Sequence, residues 1–399
     1  MTKGTLNISG EQMARLSKVS LGLKRTAIRE MNEFSKEFPN VLSFAQGEPD
    51  FNTPPHIVES AIEALRSGKT KYAPNAGIDE LKKAISQKYL ASHNLLYNWK
   101  TQVVITSCGM DNLRMASLAI LDPDDEMIVP NPTWSNHPNH PFMASGKAIE
   151  VPVFEKDGFM YDIHELRKKI SDRTKAILLN SPSNPTGGVI SLKQLKELCN
   201  FAKENNLLII SDEVYEKIIF DDLSFYSPAM IDGMQDQVII CNSFSKTYAM
   251  TGWRLGYIVG PEDIIHGIEM INENSIASVN TFVQYAGVTA LTATQDCVTQ
   301  MVQLFQKRRD IVYEKINKID RLSCLKPKGA FYAFINIRET GLKSKDFCTM
   351  LLKDQQVALV PGIGFGSGGE GFVRMSYAIS EEKIHEGIDR IARFVSTIQ

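Results

Sequence analysis

The chain has no run of about 18 uncharged apolar residues, the length a membrane-spanning helix needs. Its opening residues, MTKGTLNISGEQMARLSK, lack the apolar core of a secretory leader. Neither sign of charge dominates. The formal net charge is -2, so no global basic field exists to draw nucleic acid or an anionic membrane. Cysteine is sparse and unpatterned: Cys108, Cys199, Cys241, Cys297, Cys324 and Cys348 show no CxxC spacing. They read as reduced thiols, and the expected location is the cytoplasm. His137 and His140 are separated by Pro138, with no Cys and no carboxylate cluster beside them, so no metal site is expected. Internal repeats and low-complexity runs are absent too.

What remains is an ordinary globular composition, 43% hydrophobic and 23% charged, in 399 residues. That length suits a large domain plus a smaller one. VVIT (103–106), EMIVP (126–130), KAILLNSP (175–182), LLIISDE (207–213) and QVIICNS (237–243) read as strands buried on both faces. Amphipathic stretches such as SLKQLKELCNFAKEN (191–205) lie between them. This alternation predicts a mostly parallel sheet covered by helices, with ligands outside the carboxyl ends of the strands. SCGMD, SNPTG, SDEVY and NSFSK fall at such ends. Beyond about residue 290 the pattern changes. A helix through Val302–Ile316, a strand-like GAFYAFINI (329–337), a helical KDFCTMLLKDQQ (345–356), VALVPG (357–362) and a last helix from about Ser380 predict a separate α+β domain. Residues 1–40, mostly helical and polar, are expected to join it. The predicted division is 46–290 for the large domain, and 1–45 with 291–399 for the small one.

The segment SFSKTYAMTGWR (243–254) places Lys246 between small hydroxyl residues after a buried strand, with Arg254 following. Hydroxyls and a planar guanidinium suit phosphate oxygens. A lysine whose pKa falls through burial or a nearby cation can attack a carbonyl. The competing reading is a surface lysine in a turn. Asp212, at a strand end with Tyr215 three residues on, could hold a ring nitrogen protonated or cap a helix. Arg374 lies inside the apolar FVRMSYA, where burial demands a partner. A substrate carboxylate and a structural Asp or Glu are both open.

On these residues the chain resembles the class I/II, fold-type I aminotransferases that use pyridoxal phosphate (PLP), and within them the aspartate-aminotransferase-like branch. The Lys246 segment matches the family signature. FAQGEPDFNTP (44–54), YAPNAGIDELKKAI (72–85), NPTW (131–134), SPSNPTGG (181–188), SDEVY (211–215) and GGEGFVRMSYA (368–378) follow in the family's order, over roughly residues 15–395. The resemblance implies an α/β fold-type I transferase, with a mostly parallel seven-stranded sheet in the large domain and a smaller α+β domain. It implies that Lys246 carries the cofactor as a Schiff base and moves protons. It also implies that Asp212 pairs with the ring nitrogen, and that Tyr215 and Asn184 bond the phenolic oxygen. Trp134 stacks on the ring. Ser243, Ser245, Arg254 and the backbone of Cys108, Gly109 and Met110 hold the phosphate, the last three at a helix N-terminus. Arg374 clamps the substrate α-carboxylate, with Gly47, Trp134 and Asn184 beside the substrate. Tyr72 reaches the phosphate of a neighbouring subunit, which implies a homodimer with shared sites. The implied reaction is ping-pong transfer of an amino group between an L-amino acid and a 2-oxo acid.

The chain departs from the family at SCGMDN (107–112), where many relatives have Lys-Gln after the Gly. Met110 takes the place of that Lys, which in some aspartate-specific relatives helps bind the distal carboxylate. Aspartate is therefore not carried over as substrate. Lys24 and Arg25 are the other candidates for a second carboxylate, against a solvated helix face. The alternative function is a β-eliminating lyase or amino-acid oxidase, because the scaffold holds the cofactor without dictating the outcome. A non-enzymatic regulator would need an added DNA-binding segment, for which too few residues precede the scaffold.

Overall fold

A computed structural model describes residues 15–398. Its centre is a seven-stranded sheet made of β2 (Val103–Thr106), β3 (Glu126–Asn131), β4 (Lys147–Pro152), β5 (Thr174–Asn180), β6 (Leu208–Asp212), β7 (Val238–Ser243) and β8 (Gly256–Val259). The order across the sheet is β2-β8-β7-β6-β5-β3-β4. β4, β3, β5, β6 and β7 run parallel, and β8 is antiparallel to both neighbours. Ile209, Ile210, Ile239 and Ile240 are fully buried, which is why these strands read as unbroken apolar runs.

The crossover helices bury one stripe each. In Leu192–Glu204, Leu195, Leu198, Cys199, Phe201 and Ala202 are buried. Ser191 and Gln194 close a capping box at its start. No helix among the described residues is long and apolar enough to cross a membrane.

The C-terminal region builds a second, antiparallel sheet in the order β12-β13-β10-β9. Its strands are β9 (Ser323–Cys324), β10 (Tyr332–Asn336), β12 (Val360–Pro361) and β13 (Phe372–Ser376). The helices Asp296–Ile316, Ser344–Gln355 and Glu381–Thr397 accompany it. β1 (Leu42–Ser43) pairs in parallel with β11 (Val357–Ala358), tying the N-terminal segment to this region. Helices occupy Lys18–Gly22 and Ala27–Ser35. The expectation for residues 1–14 lies outside the described residues.

Three boundaries differ from the sequence pattern. The helix expected from Val302 begins at Asp296, because its first two turns bury only Val298 and Met301 and the apolar period is faint there. The expected 329–337 strand shortens to β10, since Gly329 instead bridges Ile219. VALVPG is two strands, β11 serving β1 and β12 serving β13, so one apolar run joins two sheets.

Candidate active site

The polar residues at the carboxyl ends of β2, β5, β6 and β7 converge on one cavity of about 280 Å³. It is lined by Gly47, Cys108, Gly109, Met110, Trp134, Asn184, Asp212, Tyr215, Ser243, Ser245, Lys246, Arg254 and Arg374. These are all the expected site residues save Tyr72, which is 89% exposed and lies outside the cavity. Lys24 and Arg25 do not line it either; Arg25 pairs with Glu33 at the surface.

Lys246 follows β7 and is half-buried. Its Nζ donates to the Gly47 carbonyl at 2.6 Å. Burial lowers its pKa to about 8; Glu48 opposes the shift, and Arg374 and Arg254 add to it. A Cβ on Gly47 would meet the Tyr332 hydroxyl at 2.5 Å, so this chain's own packing already demands glycine there.

Asp212 ends β6. It caps no helix, because a turn follows it. Its Oδ2 lies 3.1 Å from His137 Nε2, and His137 Nδ1 lies 2.6 Å from Thr133 Oγ1. With the carboxylate as acceptor, the Nε2 proton points to Asp212 and Nδ1 accepts from Thr133. Asn180 Nδ2 donates to the Asp212 carbonyl at 3.2 Å, and its Oδ1 accepts from the Asn184 amide at 2.9 Å. Neighbouring strand ends thus fix one another.

Arg374 sits mid-strand in β13, fully buried, opposite Phe334 and Val360. Its Nη1 donates to Asn184 Oδ1 at 3.0 Å and its Nη2 to the Ala45 carbonyl at 2.5 Å. Nε has no partner, and among the described residues no carboxylate pairs with it. The structural Asp or Glu left open by the sequence is not there. Burial pushes its pKa down. Its guanidinium lies over the Tyr332 ring, 4.5 Å from the centroid.

At the other end of the cavity the Gly109–Ile120 helix begins without a side-chain cap at Cys108. Its free N–H groups favour an anion. Ser243, Ser245 and Arg254 line the same cavity. A Cβ on Gly109 would approach Val214 Cγ1 to 3.1 Å, so the glycine lets the helix start sit close against that wall.

Two residues of the site, Tyr332 in its lining and His137 behind Asp212, are not expected there from the sequence. His137 looked like half of a poor metal pair, yet it is the partner of Asp212. The available hint was its position four residues after Thr133, just past β3. Tyr332 bonds Tyr215 through their hydroxyls at 2.9 Å and underlies Arg374. Burial is the main reason the Tyr215 hydroxyl holds its proton well above the usual range. His140 is buried with both ring nitrogens unpartnered, and burial drops its pKa to about 3, so it stays neutral.

The donor set suits pyridoxal phosphate. A buried carboxylate answers a basic ring nitrogen, a lysine of lowered pKa answers an aldehyde, and an uncapped helix start with an arginine answers a phosphate.

Comparison with known proteins agrees. The family "Aminotransferase class I and II" matches residues 39–391. The chain is 39% identical to the aromatic-amino-acid aminotransferase 2 of Thermococcus litoralis, over 92% of this chain and 94% of that protein. It is 40% identical to the aspartate aminotransferase of Pyrococcus abyssi, with the same coverage. The aspartate aminotransferase of Thermus thermophilus solved with maleate superposes at a TM-score of 0.90 and 34% identity, over 95% of this chain and 99% of that one. The convergence of strand ends on Lys246 and these likenesses over nearly the whole length lead to one conclusion: the chain belongs to the class I and II aminotransferases, and is a pyridoxal-phosphate-dependent aminotransferase of fold type I.

Proposed function

We propose that this chain moves an amino group between an L-amino acid and a 2-oxo acid by a ping-pong route, with Lys246 as the group that carries the proton. The observation that carries the reading is one amine of lowered pKa in a cavity shared with a buried carboxylate and a buried arginine that has no carboxylate partner among the described residues.

Pyridoxal phosphate, when bound, supplies a carbonyl for amine exchange and a protonated ring that draws electron density from Cα. Asp212 would hold the ring nitrogen, with the His137 hydrogen bond keeping the carboxylate in place. Trp134 would lie on the ring face, and Asn184 and Tyr215 would hold the phenolic oxygen. Ser243, Ser245, Arg254 and the N–H groups of Cys108, Gly109 and Met110 would hold the phosphate. Arg374 binds the substrate α-carboxylate through a planar fork already aimed by Asn184 and Ala45. That fixes Cα within reach of Lys246, whose Nζ takes the Cα proton and later releases it.

The proposed assembly is a homodimer in which the exposed Tyr72 reaches its partner's phosphate site. We also propose the two-domain division at residues 46 and 290. The proposed compartment is the cytoplasm, in keeping with six unpaired cysteines.

The test is single-turnover spectroscopy with a panel of L-amino acids and no 2-oxo acid. Conversion of bound pyridoxal phosphate to pyridoxamine phosphate is expected. Release of ammonia with return of the starting spectrum would mark a lyase or an oxidase instead.

A further inference from the structure

The chemistry of the substrate side chain can be read from what lines the rest of the cavity. Among the described residues three cations line it: Lys246, Arg254 and Arg374. Under the reading above all three are engaged, by the reacting carbon, the phosphate and the α-carboxylate. The wall left for a side chain includes Ile28 and Met110. Met110 is 45% exposed in the first turn of the Gly109–Ile120 helix, free to meet a ligand and adaptable in shape. Ile28 comes from the Ala27–Ser35 helix and separates the cavity from an outer vestibule.

The vestibule does not make up for the missing cation. Its Arg29 and Lys36 do not line the cavity itself and share the vestibule with the carboxylates of Glu33 and Glu48. Glu48 lies on the Lys246 side, held by Gln46 Nε2 at 2.6 Å and Thr251 Oγ1 at 3.1 Å. A second substrate carboxylate would therefore leave water for an apolar wall, with the Glu48 carboxylate in the vestibule beyond it. An apolar side chain loses nothing on transfer and gains contact with Ile28 and Met110.

Building on the aminotransferase reading, we propose that this site selects amino acids with an apolar side chain, aromatic or thioether, seated against Ile28 and Met110, in preference to aspartate.

The test uses the holoenzyme in two ways. Calorimetric titration compares 3-phenylpropionate, an apolar monocarboxylate, with the dicarboxylate maleate. Single-turnover kinetics compare L-phenylalanine and L-methionine with L-aspartate. 3-Phenylpropionate is expected to bind at least tenfold tighter, and the two apolar amino acids to react at least tenfold faster. Met110→Lys should reduce both ratios at least tenfold, while Met110→Leu should keep them. Maleate binding as tightly as 3-phenylpropionate, aspartate reacting as fast, or ratios unmoved by Met110→Lys would each overturn the proposal and leave transamination standing. If no amino acid converts the cofactor, the aminotransferase reading fails and takes this proposal with it.

Discussion

His137 Nε2 lies 3.1 Å from Asp212 Oδ2, and both side chains are almost entirely buried. The two residues are 75 positions apart in the chain and meet because β3 and β6 both flank β5. The hydrogen bond spends one carboxylate oxygen on the protein and fixes the direction of the other. Replacing His137 with Phe removes the donor and leaves a buried carboxylate less well held. A hydrogen bond to a charged group is worth about 1.5–3 kcal/mol, so kcat/KM should fall roughly 10- to 100-fold and the cofactor should bind more weakly. Both are read from half-reaction kinetics and cofactor titration. Wild-type values in the variant would remove His137 from the machinery.

The lowered pKa of Lys246 sets a pH dependence. Depression of a basic group favours its neutral form, so the reactive amine accumulates as pH rises through about 8. At pH 7.5 about a quarter is neutral, against about one part in a thousand for an ordinary lysine. The rate of pyridoxal-phosphate addition to the cofactor-free protein should therefore rise with a midpoint near pH 8. A midpoint near that of free lysine would contradict the burial argument.

Arg374 is a fully buried cation whose hydrogen-bond acceptors are neutral oxygens. Desolvating it is a cost to folding, which the proposed role in substrate binding accounts for. Arg374→Met should raise KM for the amino acid about a hundredfold, two charge-assisted bonds being lost. The melting temperature of the cofactor-free variant should be no lower than that of the parent. A large drop in melting temperature with KM unchanged would make the arginine structural.

Lys88 and Glu216 form a buried ion pair behind the same segment that bears Asp212 and Tyr215. Tyr257 Oη also accepts from Lys88 Nζ at 2.6 Å, and the amine holds its proton above the ordinary lysine range through these partners despite burial. Nearby Glu213 has its pKa raised to about 8 by burial first and by Glu216 second, so it enters neutral solution protonated. Lys88→Met leaves Glu216 without its cation in a closed site. The expected loss is about 3–5 kcal/mol in chemical denaturation. Lys88→Met together with Glu216→Leu should recover much of it, and failure of the double variant to recover would point to packing instead of charge.

Much of this molecule is legible in its sequence. Parallel strands covered on both faces leave continuous apolar runs, and β5, β6 and β7 stand close to where those runs lie. The chemistry-bearing residues Asp212, Ser243 and Lys246 sit at the ends of such runs or just after them, so their shared edge follows from the fold class. Local signals of this kind need only neighbours in the chain.

Other features belong to the tertiary structure alone. Tyr332 bonds Tyr215 and crowds Gly47, His137 meets Asp212, and Ile28 and Met110 share a wall although they lie on different helices. None of these pairs is close in sequence, and no periodicity reports which distant strand lies alongside. The sheet order β2-β8-β7-β6-β5-β3-β4 is not the chain order, so the neighbours of each strand end are decided by packing. The sequence by itself determined that a lysine and a carboxylate lie at or just after the ends of buried parallel strands, because such strands leave unbroken apolar runs that mark where each one stops. Only tertiary packing decided how the carboxylate is held, and which side chains wall the space where a substrate side chain must fit.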